Sequence, residues 1–505
     1  MTSLMILVVT LAGLAFAVAI RKYVRSRKYK LPPRVPGLPI VGNTFQFRLD
    51  PVKQGPWAAK IAIEYGEMFT IRVGGCDMVF LNSSRVVREL MDKRSSKYSS
   101  RAEMPMVSDT MSGGNCIVLM PYNERWRSIR KVMHSVLNSR NMAQFSTYQE
   151  IESRQLLWDY LYNPGAWFTH NQRFANSVIV SVVFGRRIPL GDPNLGPLLR
   201  QAEAMVEHLQ PGATLVDGFP ILAKLPKSLQ WWRKRGEALY KESLRVYGYE
   251  LDKIQEKINA GKAPECFARE FLQSPDAAKM EESQRIFTLG SLLEAGSDTS
   301  RMTLSQTVAA MAIFPEWVSI ARGHLDKVCG DAGRLPRWED KPQLRYISAA
   351  VKESFRWRPF APIGVPYQIS VDDEFEGYHF PAGTQITWNS LYISQNEDEY
   401  KNAKVFDPAR FLNDDLDSVT KGHWAFGPGR RACPGYNVAE RNVWMAISRL
   451  IYCFDFTTVP GHEIDPVNAN WKDYRVAPFK VSITPRSAAH KELILETCAD
   501  IAGEC

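Results

Sequence analysis

FGPGRRACPG, residues 426–435, sets one cysteine among three glycines, two prolines and two arginines. Glycine lets a backbone turn tightly and approach a partner closely, and proline stiffens the turn, so the loop aims the Cys433 sulfur in one direction. The run that follows, YNVAERNVWMAISRLI, reads as a helix opening at Gly435. A sulfur at such an N-terminus meets free N–H groups and the positive end of the helix dipole, which favour the thiolate. A thiolate is a metal ligand, and no second Cys or His lies nearby at zinc spacing. One protein thiolate suits an iron whose other ligands come from a porphyrin. The competing reading is an inert buried thiol, which leaves the rigidity of the loop without a purpose.

Phe426, Gly429, Arg431, Cys433 and Gly435 fill all five fixed positions of the heme-binding signature of the cytochrome P450 family. Further matches follow in the expected order, so the sequence resembles that family over nearly its whole length. The resemblance implies a mainly α fold with small β-sheets (α+β), with heme between a long oxygen-site helix and the cysteine-loop helix. It also implies that Cys433 is the axial ligand of iron protoporphyrin IX (heme b).

KESFRWRP, residues 352–359, places Glu353 and Arg356 at i and i+3 on one helix face. Such a pair is ordinarily a solvated surface contact. The resemblance implies a buried structural pair joined by Arg410 of VFDPARFL, residues 405–412, which holds the heme loop. EAGSDTS, residues 294–300, lies in a helix expected from near Glu281 to near Phe314. Glycine and small polar residues weaken the ladder there and invite a local groove, although a polar patch on a surface helix would read the same. The resemblance places Ala295, Gly296, Asp298 and Thr299 in the oxygen-binding segment. Thr299 is then expected to hydrogen-bond dioxygen and Asp298 to help relay protons from solvent. ERWRSIRK, residues 124–131, sets Trp126 and Arg130 one helical turn apart. The resemblance gives both to a heme propionate, with Arg431 as a further propionate ligand. Tyr367, in PIGVPYQIS, stands where relatives often carry His or Arg, and is expected to contact heme without a positive charge.

The 505 residues suffice for one large domain or several average ones. Residues 66–82 read as a hairpin, residues 120–360 as mainly helical, and 385–393 and 479–485 as strands. A polar seam at 258–282 fits either a surface loop or a domain boundary. Residues 31–43, LPPRVPGLPIVGN, hold four prolines and read as a stiff connector. Before it, residues 2–20 carry no charge and would reach roughly 28 Å as a helix, enough to span a bilayer. A cleaved signal peptide is the alternative, but six basic residues follow the apolar run and none precedes it. The expected domains are therefore an anchor and basic flank (1–30), a connector (31–43) and a catalytic domain (44–505).

The net charge of +9 draws heavily on that flank, which points to a membrane and not to nucleic acid. Eight scattered cysteines fit a reducing compartment. The triplet at Asn82 matches a glycosylation acceptor that a cytosolic body would leave unmodified. By resemblance, the chain is a monooxygenase on the cytosolic face of the endoplasmic reticulum membrane. It would act on a hydrophobic small molecule with O2 and with electrons from NADPH through a separate reductase, sometimes helped by cytochrome b5. Arg125, Arg127, Lys131, Lys421 and Arg430 are candidates for the reductase docking face. Substrate contacts are expected from residues 101–120, 203–217, 289–298, 362–367 and 474–480. The similarity runs to fungal enzymes of secondary metabolism. Oxidative cyclisation, desaturation or rearrangement would use the same groups, and a heme sensor or electron carrier is the reading from another class.

Overall fold

The periodic apolar stretches of the middle of the chain form helices that share one core. They are α1 (Glu124–Val136), α2 (Ser146–Tyr162), α3 (Trp167–Phe184), α4 (Leu195–Leu209), α5 (Arg233–Asn259), α6 (Glu282–Ile313), α7 (Arg345–Trp357) and α8 (Tyr436–Cys453). The computed structural model describes residues 29–502 apart from positions 40, 49–50, 139, 190, 194, 210–212 and 468–475. The expected anchor at 2–20 and the basic flank up to Lys28 lie outside the described residues. Among those residues no helix is long and apolar enough to cross a membrane.

Capping chemistry sets the ends of the two helices nearest the site. The Asn123 side chain accepts from Trp126 N at 2.9 Å and opens α1. A capping box of Glu281 and Gln284 opens α6, which stops before Pro315. Both limits of α6 agree with the reading of the sequence. Its helix runs unbroken through Gly296, however, so the expected loosening of the ladder is absent. A Cβ at position 296 would collide with Ile179 of α3, so the glycine serves close helix packing instead.

The hairpin expected at 66–82 is present as β1 (Met68–Val73) and β2 (Cys76–Leu81), paired antiparallel from Met68↔Leu81 to Val73↔Cys76. With β3 (Tyr367–Gln368) and β4 (Gln385–Trp388) they form a sheet of order β1-β2-β4-β3. The stretch expected as one strand over 385–393 is divided. After Trp388 the Asn389 side chain accepts from Tyr392 N at 3.3 Å and starts a short helix, Ser390–Ser394. The strand expected at 479–485 is Val481–Pro485, paired with Phe454–Thr458.

Two other expectations resolve. The polar seam holds two short helices, and Cys266, Phe267 and Phe271 enter the same core as Trp126, Val178, Leu293 and Leu450. The seam is therefore no domain boundary. The proline-rich stretch docks on β1, where Val35 N donates to Thr70 O at 2.9 Å and Thr70 N to Pro33 O at 2.8 Å. Asn82 is buried and donates to Gly66 O at 2.6 Å, which leaves no room for a glycan.

Candidate functional site

Hydrogen bonds close the cysteine loop on itself. Cys433 N donates to Phe426 O at 2.8 Å, Gly427 N to Trp424 O at 3.0 Å and Ala432 N to Gly429 O at 3.1 Å. Gly429 has φ +66°, and a Cβ there would collide with Met91 O, so position 429 requires glycine. Its N–H donates to Asp92 Oδ1 at 2.6 Å. The Phe426 ring meets Phe355 of α7 edge-on at 4.9 Å and so ties the loop to that helix. Gly435 is the N-cap of α8 and the expected helix opens after it.

The sulfur does not sit as a free thiolate. Burial pushes the Cys433 thiol up, and the Gly435 N–H and the Arg130 cation only partly offset it. The helix N-terminus was expected to favour the thiolate, and desolvation outweighs it. A bound metal ion reverses the balance, because coordination removes the thiol proton outright.

Beside the loop, three guanidiniums converge with no carboxylate among the described residues at ion-pair distance from any of them. Arg431 donates to Ser99 O and Met120 O, both at 2.5 Å. Arg130 of α1 donates to His134 Nε2 at 3.0 Å and to Ala432 O. Arg101 donates to Val118 O at 2.8 Å, Val365 O at 2.6 Å and Pro366 O at 2.5 Å. Burial lowers all three, Arg101 to about 10 and Arg431 to about 9, and Arg101 and Arg130 add like-charge repulsion at Arg431. Arg431 and Arg130 both lie over the Trp126 ring, at 4.7 and 5.8 Å. Clustered buried cations are unfavourable unless an anion joins them. A metal-binding sulfur beside this cluster fits heme, whose two propionates supply that anion.

Arg101 is the member that sequence reasoning passed over. It stands in a non-helical segment with no spacing partner, and carbonyls more than 260 residues away help to orient it. Tyr367 lies under it, with the Arg101 guanidinium 4.3 Å from its ring. The Tyr367 hydroxyl donates to Pro428 O at 3.0 Å, so it braces the cysteine loop.

The Glu353 carboxylate is fully buried and receives Arg356 at 2.6 and 2.7 Å, Arg410 Nε at 3.1 Å and Asp407 N at 2.8 Å. Arg356 also donates to Ser394 O and Ala403 O. The carboxylate meets two cations and a backbone N–H, and the remaining guanidinium N–H groups find backbone carbonyls, which is what permits the burial.

On α6, residues 286–293, 297–298 and 300–312 are buried, while Glu294, Ala295, Gly296 and Thr299 break the run. Ala295 is exposed although α6 is central to the core. Thr299 Oγ1 donates to Ala295 O at 2.8 Å, leaving its oxygen free to accept. Asp298 lies 2.9 Å from Arg301, and burial raises its carboxyl more than Arg301 lowers it. Near this stripe, Met106, Met111, Cys116 and Leu119 of the expected substrate segment 101–120 and Met205 and Val216 of 203–217 form an apolar cluster, joined by Trp232 from outside both. Positions 210–212 and 474–475 of those segments lie outside the described residues. Of the docking candidates, Arg127, Lys131, Lys421 and Arg430 are exposed, whereas Arg125 is half-buried and bonded to Asn115.

The comparisons agree with this geometry. The family model described as Cytochrome P450 matches residues 32–483. Cytochrome P450 monooxygenase verL of Clonostachys rogersoniana is 33% identical over 492 residues, 92% of this chain and 89% of that protein. Cytochrome P450 monooxygenase fogE of Aspergillus ruber is 33% identical over 445 residues, 86% of this chain and 81% of its own. A solved zebra fish cytochrome P450 with abiraterone shares the fold, with TM-score 0.68 at 21% identity, over 86% of this chain and all of that one.

Proposed function

The chain belongs to the cytochrome P450 family and is a heme-thiolate monooxygenase; on that premise we propose that it oxidises a hydrophobic small molecule of fungal secondary metabolism. The family uses heme, O2 and electrons from a reductase. The observation that carries the site assignment is the cluster of Arg101, Arg130 and Arg431 beside Cys433, three cations with no carboxylate at ion-pair distance among the described residues. In this reading Cys433 holds the iron, and the three arginines with the Trp126 N–H hold the propionates. When bound, the heme supplies oxygen activation, which thiolate donation assists.

The other residues hold, aim and protonate. Glu353, Arg356 and Arg410 fix the segment that carries the loop, and Tyr367 braces Pro428. Thr299, its proton given to Ala295 O, presents an acceptor oxygen on the open stripe. Burial keeps a proton on the Asp298 carboxyl over a wider pH range, so Asp298 serves as a relay toward that stripe. The apolar cluster above excludes water and positions the substrate.

NADPH-cytochrome P450 reductase is the proposed electron donor, with cytochrome b5 as a helper, and Arg127, Lys131 and Arg430 offer an exposed basic face beside the loop. The proposed location is the endoplasmic reticulum membrane. Exposed Leu215, Ile221, Leu229 and Trp231 support it, on a segment tied to the β1–β2 turn by Gly75 N donating to Gly218 O at 2.9 Å. The test is coexpression with the reductase and a panel of polyketide, terpenoid, alkaloid and aromatic scaffolds. An oxidised product that needs NADPH and O2 is expected. A heme protein with no ligand-dependent spin change and no NADPH consumption would instead be a sensor or carrier.

A further inference from the structure

One acidic side chain beside the open stripe of α6 has no part in the relay. Glu294 lies one turn before Asp298 and next to the exposed Ala295, and it is itself only partly buried. Its Oε1 accepts from the Tyr247 hydroxyl of α5 at 2.6 Å, and no described residue donates to its Oε2. Gly290, one turn earlier, lets the Tyr247 ring lie against α6, since a Cβ there would strike that ring. The phenol is thereby fixed where it meets the carboxylate.

The neighbouring carboxyls are already committed. Asp217 accepts from Met106 N at 2.8 Å and Thr214 Oγ1 at 2.6 Å, and Asp298 pairs with Arg301. Among the described residues, the groups facing Glu294 are Tyr247 from α5 and the buried Cys116 thiol from the 101–120 segment, with Asp298 following on its own helix. None of them is a cation. Cys116 belongs to the methionine-rich apolar cluster, whose flexible side chains adapt to varied carbon skeletons but cannot answer a charge.

We propose that Glu294 is a substrate-binding residue that selects molecules carrying a cationic nitrogen, whose charge its Oε2 meets while Tyr247 holds Oε1. The inference rests on the reading of the Ala295–Thr299 stripe as the substrate and oxygen face. It adds a chemical class to the bland expectation of an apolar substrate: a hydrophobic amine. Burial, partly offset by the Tyr247 hydrogen bond, raises the Glu294 carboxyl to about 7, so the anion that binds a cation forms across neutral pH.

The test uses the heme-loaded full chain and three probes of one skeleton: decyltrimethylammonium, which cannot ligate iron through nitrogen, decanol and decanoate. Affinities are read by equilibrium dialysis and by the spin-state spectrum. The wild type should bind the cation about tenfold tighter than the alcohol and reject the carboxylate. Its cation affinity should rise as pH increases through about 7. Glu294→Gln should remove the preference and the pH dependence while leaving decanol affinity within about twofold. Tyr247→Phe, a change at a positioning residue, should move the pH midpoint upward. Equal binding of all three probes by the wild type, or equal loss of all three in Glu294→Gln, overturns the proposal. An intact thiolate-type reduced carbon monoxide band in each variant separates that failure from failure of the Cys433 assignment.

Discussion

The two sides of the site carry opposite unanswered charges. Beside the cysteine loop, Arg101, Arg130 and Arg431 have carbonyl and imidazole partners but no carboxylate among the described residues. On the α6 side, Glu294 has a phenol partner but no cation among the described residues. The Glu353 network shows the alternative, a buried carboxylate with two arginines and every bond made. Where the fold alone is served, a buried carboxylate meets its cations within the protein. Where it is not, the missing partner belongs to a ligand, a cofactor on one side and a substrate on the other.

The largest effect should come from the internally paired network. Glu353→Gln leaves Arg356 buried without its anion and should cost about 3–5 kcal/mol, seen as loss of heme incorporation and a lowered melting temperature. If that variant loads heme normally, the contrast between structural and ligand-directed charge fails. Next, Asp298→Asn and Thr299→Ala should each lower product formation about 100-fold while NADPH consumption continues, measured as product formed per NADPH oxidised. Arg101→Met and Arg431→Met should each speed heme loss to apomyoglobin about tenfold, the scale of one charge-assisted contact, whereas Arg125→Met should leave it unchanged.

The smallest effect is a matter of pH. The folded-state carboxyl of Glu294 is raised, chiefly by burial, so the stability tied to its protonated form is complete below about 4.5 and is lost as pH rises through about 7. Glu294→Gln should therefore melt like the wild type at low pH and above it at pH about 8. Melting curves across that range check the sign, and a wild type that gains stability on the variant as pH rises would contradict it.

What was legible in the sequence follows from how local each signal is. The cysteine loop, the two ends of α6 and the spacing of Glu353 and Arg356 lie within short runs, and the structure places them as read. The division at Asn389 hid in an apolar run whose strand and helix halves look alike until the cap is seen. Arg101 and the pairing of Tyr247 with Glu294 depend on contacts between distant segments, for which one sequence carries no spacing rule. At Cys433 the helix N-terminus can be read locally, whereas the burial that opposes its effect is tertiary.

The central claim is that the constrained loop presents Cys433 to iron. Cys433→Ser, purified beside the wild type, reduced and exposed to carbon monoxide, tests it directly. The account predicts that the wild type shows a thiolate-type band and that the variant loses it. A variant that keeps its heme absorbance with the band at the wild-type wavelength would contradict the assignment.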